Sequence, residues 1–270
     1  MADLWSDLLR CLRLARQPGD DTDTAFDAPN QQLEYHRIFG GQILGQFIVA
    51  AQASSPGKTV KSLHTLFPRE GRTAEPLAIE VARLHEGRTF ATLNMTAAQP
   101  SGVVATASVS MHAAEDGPQH QDLDGDVPPL LDAQHRAEIG MIPWEIRTQG
   151  GLDDEAVGPP RYEMWMRTPA VDPALAPALL AYATDLTLIG TALRPLAGLS
   201  QRGAQSAYAS AVTSHTVWFD RPFRTDNWLL LRQHSPLLAH GRAFGRGDVL
   251  TEDGTLVASY AQESLVRIRQ

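Results

Sequence analysis

The sequence predicts an α+β protein in which one unit occurs twice, each unit a buried helix followed by antiparallel strands. Three observations carry this. Two long apolar segments with helical periodicity, residues 41–53 and 177–193, stand in the two halves of the chain. The same succession of strand and turn signals follows each of them. Between the halves, residues 113–160 are polar and rich in Gly, Pro and Asp, the composition of a linker.

The elements follow in order. Leu8-Leu9-Arg10-Cys11-Leu12-Arg13-Leu14 reads as a short leading helix on which Cys11 takes an apolar position. The first long segment, from Gly41 to Ala53, and the second, from about Pro177 to Leu193, carry few charges. A helix that is apolar nearly all round is buried nearly all round. After the first come Phe67-Pro68-Arg69, a strand at Leu77-Ala78-Ile79-Glu80-Val81, the unit Gly87-Arg88-Thr89-Phe90, a turn at Pro100-Ser101-Gly102 and a strand at Val103-Val104-Ala105-Thr106. After the second come Phe219-Asp220-Arg221, Trp228-Leu229-Leu230-Leu231, Gly241-Arg242-Ala243-Phe244, a turn at Glu252-Asp253-Gly254 and Leu256-Val257-Ala258-Ser259. The separations differ by one residue, which a hairpin loop absorbs. A sheet wrapped around a helix explains the helix's apolar composition, and this is the hotdog arrangement. The expected organisation is a double hotdog: residues 1–112 with the leading helix, a linker at 113–160, and residues 161–270. Two such sheets pairing into one continuous sheet would remove exposed strand edges.

Composition narrows the function. The net charge is −8 and no Lys/Arg run stands out, so nucleic acid is not an expected partner. A polyanionic substrate would need a local basic patch. The single cysteine, Cys11, excludes an intrachain disulfide and fits a reducing, cytoplasmic compartment. No apolar run reaches the roughly 20 residues of a membrane span, and Asp3 and Asp7 interrupt the apolar N-terminal stretch, unlike a signal peptide. Asp122, Asp124 and Asp126 alternate as in a calcium loop, but the Gly comes too early and no Glu follows at the required spacing. The histidines lack zinc-site spacing, there is no phosphate loop, and Gly198-Leu199-Ser200-Gln201-Arg202 lacks the second Gly of a nucleophile elbow. Neither metal nor cofactor is expected, and a hydrolase of this composition is left with direct attack by an activated water.

Asp185 is the most informative residue. No other charged residue lies between Asp172 and Arg194. A carboxylate in such a segment is costly to bury, and burial raises its pKa and strengthens it as a base. A structural carboxylate bonded to Tyr or Arg, or a helix face meeting solvent, explains the pattern as well. Gln262 follows a strand-like apolar run where the repeat places Val109 in the first half. Its amide can orient a water or a carbonyl; an edge position facing solvent is the alternative. Hydroxyls cluster at Ser210, Thr213, Ser214 and Thr216, where strands commonly carry them.

Four stretches together carry a resemblance: Arg37-Ile38-Phe39-Gly40-Gly41-Gln42, Tyr182-Ala183-Thr184-Asp185-Leu186, His215-Thr216-Val217-Trp218-Phe219-Asp220-Arg221-Pro222-Phe223, and Val257-Ala258-Ser259-Tyr260-Ala261-Gln262-Glu263. The chain is similar to the type II (TesB-like) acyl-CoA thioesterase family over about residues 30–269. The resemblance implies hydrolysis of fatty-acyl-CoA to free acid and coenzyme A, without a cofactor, by a protein that assembles into dimers or tetramers. It also implies a site in which an Asp, a Ser or Thr, and a Gln hold the nucleophilic water. The Asp falls on Asp185 and the Gln on Gln262. The hydroxyl position, counted back from His215, falls on Val212; Thr213 is its neighbour and enters as the third site residue, re-aimed by a bulge. Ser214 stands where the family usually has Asp, and Phe67-Pro68-Arg69-Glu70-Gly71 departs from the family's Phe-Leu-Arg-Pro-Gly. Arginines near the mouth of the site would meet the phosphates of coenzyme A. Two alternatives accompany this reading. One is an inactive acyl-CoA-binding paralogue, which the Val212 substitution allows. The other is a hotdog enzyme of the enoyl-CoA hydratase type, which pairs an Asp with a His a few residues later, whereas Asp185 has no His within twenty residues along the chain.

Overall fold

The computed structural model describes residues 3–19, 24–123, 125–151, 153–204 and 206–269, and it divides into two units. The first unit comprises residues up to 120 together with 174–183 and 216–219. It contains α1 (Leu4–Cys11), β1 (Ala15–Arg16), β2 (Ala25–Ala28), α2 (Gly40–Ser54), β3 (Thr59–Leu66), β4 (Leu77–Glu86), β5 (Phe90–Gln99), β6 (Gly102–His112) and nearly all of α3 (Ala176–Thr184). Asp3 caps α1 by accepting from the backbone N–H groups of Trp5 and Ser6. Cys11 is a buried free thiol, pushed up to about 12 chiefly by burial and then by Asp7, so it packs rather than reacts.

The strands run in the order β1-β2-β4-β5-β6-β3, each pair antiparallel. α2 lies against this sheet and buries Ile43, Leu44, Phe47, Ile48, Ala50 and Ala51. The Phe39-Gly40-Gly41-Gln42 stretch opens α2 and has a structural task. A Cβ on Gly41 would stand 2.4 Å from the Tyr182 carbonyl oxygen and 2.4 Å from the Phe39 ring. One turn later, a Cβ on Gly45 would stand 3.1 Å from the Ala178 carbonyl oxygen. These two glycines let the backbones of α2 and α3 approach each other. Gln42 accepts from the Gln31 N–H at 2.9 Å and donates to Asn30 Oδ1 at 3.1 Å, and the Tyr182 hydroxyl donates to Gln31 Oε1 at 2.9 Å. The Gln42 amide is thereby satisfied at both ends, as burial requires.

The second unit holds β7 (His135–Ala137), β8 (Glu145–Thr148), β9 (Arg161–Arg167), α4 (Leu188–Leu193), most of β10 (Tyr208–Phe219), β11 (Leu229–Ala239), β12 (Arg242–Thr251) and β13 (Leu256–Ile268). Its strand order is β10-β13-β12-β11-β9-β8-β7. The four-strand core β11-β12-β13-β10 repeats the order β4-β5-β6-β3 of the first unit. Gly87-Arg88 and Gly241-Arg242 both lie at the hairpin between the first and second of those strands, β4–β5 and β11–β12. The second of these turns is made by His240 (φ 52°) and Gly241 (φ 73°), the positive-φ pair of a two-residue hairpin loop. α4 packs on β11, β12, β13 and β9. The architecture is the expected double hotdog.

Two expectations need correction. Residues 113–160 are not a simple linker. They contribute β7 and β8 to the second unit's sheet through pairing of β8 with β9. Leu123, Val127 and Leu130 pack on a core of Ala133, Trp165, Trp228, Leu230 and Leu250. Arg232 donates to the Asp126 carbonyl at 2.6 Å, and the Gln121 side chain bridges the Gly254 carbonyl and the Leu256 N–H. This cover explains why Leu229-Leu230-Leu231 is buried without alternation: both faces of β11 are covered there. Asp124, of the alternating Asp run, lies outside the described residues. The domain boundaries shift accordingly, and residues 174–183 group with the first unit rather than the second.

The second correction concerns the helix expected over 177–193. It is two helices, α3 and α4, separated at Asp185–Thr187. The stretch Pro173–Leu193 is long and apolar enough by composition to cross a membrane, yet 78% of its most apolar window is buried in the fold, as in a core helix.

Candidate active site

The break between α3 and α4 positions the site, and buried polar side chains hold it open. Gln201 Nε2 donates to the Leu186 carbonyl at 3.1 Å, satisfying an acceptor that the interruption frees. Thr187 precedes α4 as its N-cap residue. The Gln233 amide donates to Thr187 Oγ1 at 2.6 Å and to the Tyr260 hydroxyl at 2.7 Å, while Thr191 Oγ1 donates to Gln233 Oε1 at 2.9 Å. Asp185 therefore sits in a fixed irregular segment and not on the face of a continuous helix.

Two strands complete the site. Strand alternation turns His215 and Val217 of β10 inward, and Tyr260, Gln262 and Ser264 of β13 inward. His215 Nδ1 donates to Gln262 Oε1 at 3.0 Å, and the Thr184 hydroxyl donates to His215 Nε2 at 2.9 Å. Gln262 Nε2 donates to Ser264 Oγ at 2.9 Å. The result is one directed chain, Thr184 to His215 to Gln262 to Ser264. Asp185 Oδ1 lies 3.8 Å from the same His215 Nδ1, too far for a hydrogen bond. The His215 ring is stacked on Tyr260 with centroids 6.1 Å apart.

His215 is an uncharged ring. Burial pulls its pKa from 6.5 down to about 4, against the opposing effect of its bond to Gln262. Although Asp185 lies within ion-pair distance, the pair is therefore a neutral imidazole beside a carboxyl group at neutral pH. A consequence can be measured. Below pH 6.5 the unfolded chain protonates this histidine while the folded chain does not, until pH approaches about 4. Stability is therefore highest above pH 6.5 and falls as pH drops towards 4, by about 3 kcal/mol from this group. Urea unfolding across that range should show this slope, and His215→Gln should lose that part of it. An unchanged slope in the variant would assign the dependence to other groups.

The structure thus brings Asp185 and Gln262 to one ring nitrogen, and strand alternation puts Thr213 on the same side of β10 as His215. Thr213 Oγ1 donates to the Glu263 carbonyl on the neighbouring strand at 3.0 Å. Thr216 Oγ1 is 3.3 Å from His64 Nδ1 in the first unit. Val212 alternates to the side of β10 opposite His215. The hydroxyls that join the chain are Thr184 and Ser264, which residue-type reasoning passed over. His215 was passed over too, although an isolated His between alternating strand residues carries a signal once Gln262 is assigned to the adjacent strand. Among the described residues no group of His, Cys, Asp or Glu is arranged to hold a metal ion.

Known proteins match the chain over nearly its whole length. A family model described as the acyl-CoA thioesterase N-terminal domain matches residues 30–112, and one described as the acyl-CoA thioesterase C-terminal domain matches residues 112–266. The chain is 28% identical to acyl-CoA thioesterase 2 of Haemophilus influenzae, over 100% of both chains. It is 30% identical to acyl-coenzyme A thioesterase 8 of Mus musculus, over 86% of this chain and 81% of that one. Among solved structures, an acyl-CoA thioesterase II from Mycobacterium marinum matches with a TM-score of 0.74 and 29% identity, covering 97% of this chain and 98% of the other. A tesB protein from Mycobacterium avium subs paratuberculosis matches with a TM-score of 0.78 and 28% identity at the same coverage.

Proposed function

Because the chain belongs to the acyl-CoA thioesterase family and is a thioester hydrolase acting on acyl-CoA, we propose that Asp185 is its general base, acting on a water held by Gln262. The observation that carries this reading is the convergence of Asp185 and Gln262 on one buried, neutral His215. An amide offers four hydrogen-bonding positions. Gln262 uses one lone pair for His215 and one N–H for Ser264, so one acceptor and one donor stay available for water or the thioester carbonyl. Water attacks the carbonyl carbon as Asp185 takes its proton. The tetrahedral intermediate then collapses, the C–S bond breaks, and the proton passes to the departing thiolate. The products are a free acid, fatty when the acyl group is fatty, and coenzyme A.

His215 also bears on the hydratase alternative, since the fold supplies in space the Asp–His proximity that the sequence lacks locally. Both ring nitrogens are engaged, with Thr184 and Gln262, and the ring has 0% exposure. Such a ring cannot transfer a proton to substrate, which favours a positioning task. Thiol release from a panel of acyl-CoAs tests the proposal. Gln262→Ala should lower the rate about tenfold or more, because an orienting amide is only partly replaced by water. Thr213→Val should lower the rate as well, since its hydroxyl bonds the Glu263 carbonyl beside Gln262, and an unchanged rate would remove Thr213 from the site. Undiminished turnover in Gln262→Ala would sink the assigned role.

We propose in addition that the protein works in the cytoplasm, as its one buried free thiol fits a reducing compartment, and that it forms dimers or tetramers, as the family resemblance implies. Light scattering that gives only the mass of one chain at micromolar concentration would contradict the second statement.

A further inference from the structure

Three basic side chains stand side by side across the second unit's sheet. The strand register pairs Arg161 of β9 with His234 of β11, and His234 with Arg246 of β12. Cross-strand partners share a face and lie about 5 Å apart, and like charges so placed are destabilising. Two residues along the same strands the sheet follows the opposite rule. There Arg232 stands between Glu163 and Asp248, and its guanidinium donates to Glu163 at 2.6 Å. The chain has a net charge of −8, so carboxylates are plentiful. Yet neither Arg161 nor Arg246 makes an ion pair among the described residues. The His234 imidazole is held below its ordinary range by burial and by the two flanking guanidinium groups.

All three line a cavity of about 910 Å³, within the size range of small-molecule sites. One wall is the Gln149-Gly150-Gly151 loop, formed where β8 leaves β9, since their pairing covers only residues 164–167 of β9. Gln233 lines it through its backbone, since its side chain alternates to the opposite face of β11, where the amide bonds Thr187. Five carboxylates also line the cavity: Asp122, Asp126, Asp154, Glu163 and Asp248. Glu163 is paired with Arg232, Asp248 accepts from the Ser259 hydroxyl, and Asp154 accepts from the Ala156 N–H. The row of Arg232 holds its own carboxylates, Glu163 and Asp248, whereas the row of Arg161, His234 and Arg246 holds none, so a ligand presents its negative charge to the latter.

We propose that the row Arg161–His234–Arg246 binds a phosphate-bearing anion of the pyrophosphate or nucleotide class. Such an anion neutralises the two guanidinium groups that flank the imidazole and accepts hydrogen bonds from both. Its source is either the phosphates of the acyl-CoA substrate, in which case the inference rests on the hydrolase reading above, or a separate phosphate ligand.

Calorimetric titration of the full chain with inorganic pyrophosphate at low salt tests the site without reference to catalysis. The parent protein should bind. Arg161→Gln or Arg246→Gln should each weaken Kd about tenfold, the loss of one charged hydrogen-bonding group. The double variant should bind at least about a hundredfold more weakly, and lysine at both positions should restore part of the affinity. Arg13→Gln, exposed in the first unit, should change nothing. Thermal unfolding of each variant guards against loss of fold, and relief of repulsion should hold or raise the midpoint. No binding to the parent protein, or equal binding to the glutamine double variant, overturns the proposal. A kinetic comparison then identifies the source. A KM raised for acyl-CoA but not for acyl-pantetheine, which lacks the nucleotide, places the substrate's own phosphates in the row. A KM unchanged for both, with pyrophosphate binding lost, places a separate ligand there.

Discussion

Asp185→Asn is expected to slow acyl-CoA hydrolysis by about 10² to 10⁴, the usual contribution of a general base, with little effect on folding. Asn matches Asp in size and keeps one acceptor oxygen, so the break between α3 and α4, held by Gln201, Gln233 and Thr191, has no reason to move. What the amide cannot do is take a proton from water at neutral pH. Among the described residues the site holds no side chain suited to replace it. His215 is neutral, sealed from solvent and bonded at both nitrogens. Steady-state thiol release, together with an unfolding curve and the affinity for a non-hydrolysable acyl-CoA analogue, measures all three parts of the statement. Full turnover in the variant, or a rate loss matched by a loss of stability, would return Asp185 to a structural role.

Gly41→Ala is expected to destabilise the protein by about 2 to 3 kcal/mol, as overpacking in a tight core does. At an open helical position the same change stabilises by about 0.5 to 1 kcal/mol. The sign reverses here because the new methyl group would meet the Tyr182 carbonyl and the Phe39 ring, both at 2.4 Å. The first is backbone, and the second is packed edge-on against the Tyr182 ring with centroids 4.9 Å apart. Neither is a flexible tip that can move aside at low cost. α3 ends at Thr184 and leads directly into Asp185, so the variant should lose activity as well as stability. Urea unfolding of Gly41→Ala beside the parent protein measures the first effect. Equal midpoints would show that α2 and α3 can separate without penalty.

The fold was legible in the sequence wherever a pattern repeats. The two Gly-Arg-x-Phe units mark equivalent hairpins, and the succession of turns and strands gives both four-strand cores. The interruption after Thr184 was hidden because Leu186, Leu188 and Ile189 continue the apolar run. The side chains that hold it, Gln201 and Gln233, come from segments distant in sequence. Thr184-Asp185-Leu186-Thr187 does contain two residue types favoured as helix caps, a local hint outweighed by the surrounding hydrophobicity. The covering role of Gln121, Leu123, Val127 and Leu130 was hidden by the composition around them, since a few apolar side chains among Asp, Gly and Pro suffice to seal one face of β11. Asp185 and Gln262 stood out because each is polar where its neighbours are not. Thr184 and Ser264 did not, since hydroxyls are ordinary in helix ends and strands, and His215 acquires meaning only beside Gln262.

The central claim is that water attacks the thioester directly while Asp185 accepts a proton and forms no covalent bond. A single turnover with enzyme in excess over acyl-CoA, run in heavy-oxygen water, tests it most directly. Direct attack predicts that the released acid carries one heavy oxygen from the first turnover and that peptide mass analysis finds none in Asp185. Heavy oxygen appearing in the Asp185 carboxylate, with unlabelled acid released in that first turnover, would reveal an anhydride intermediate and contradict the account.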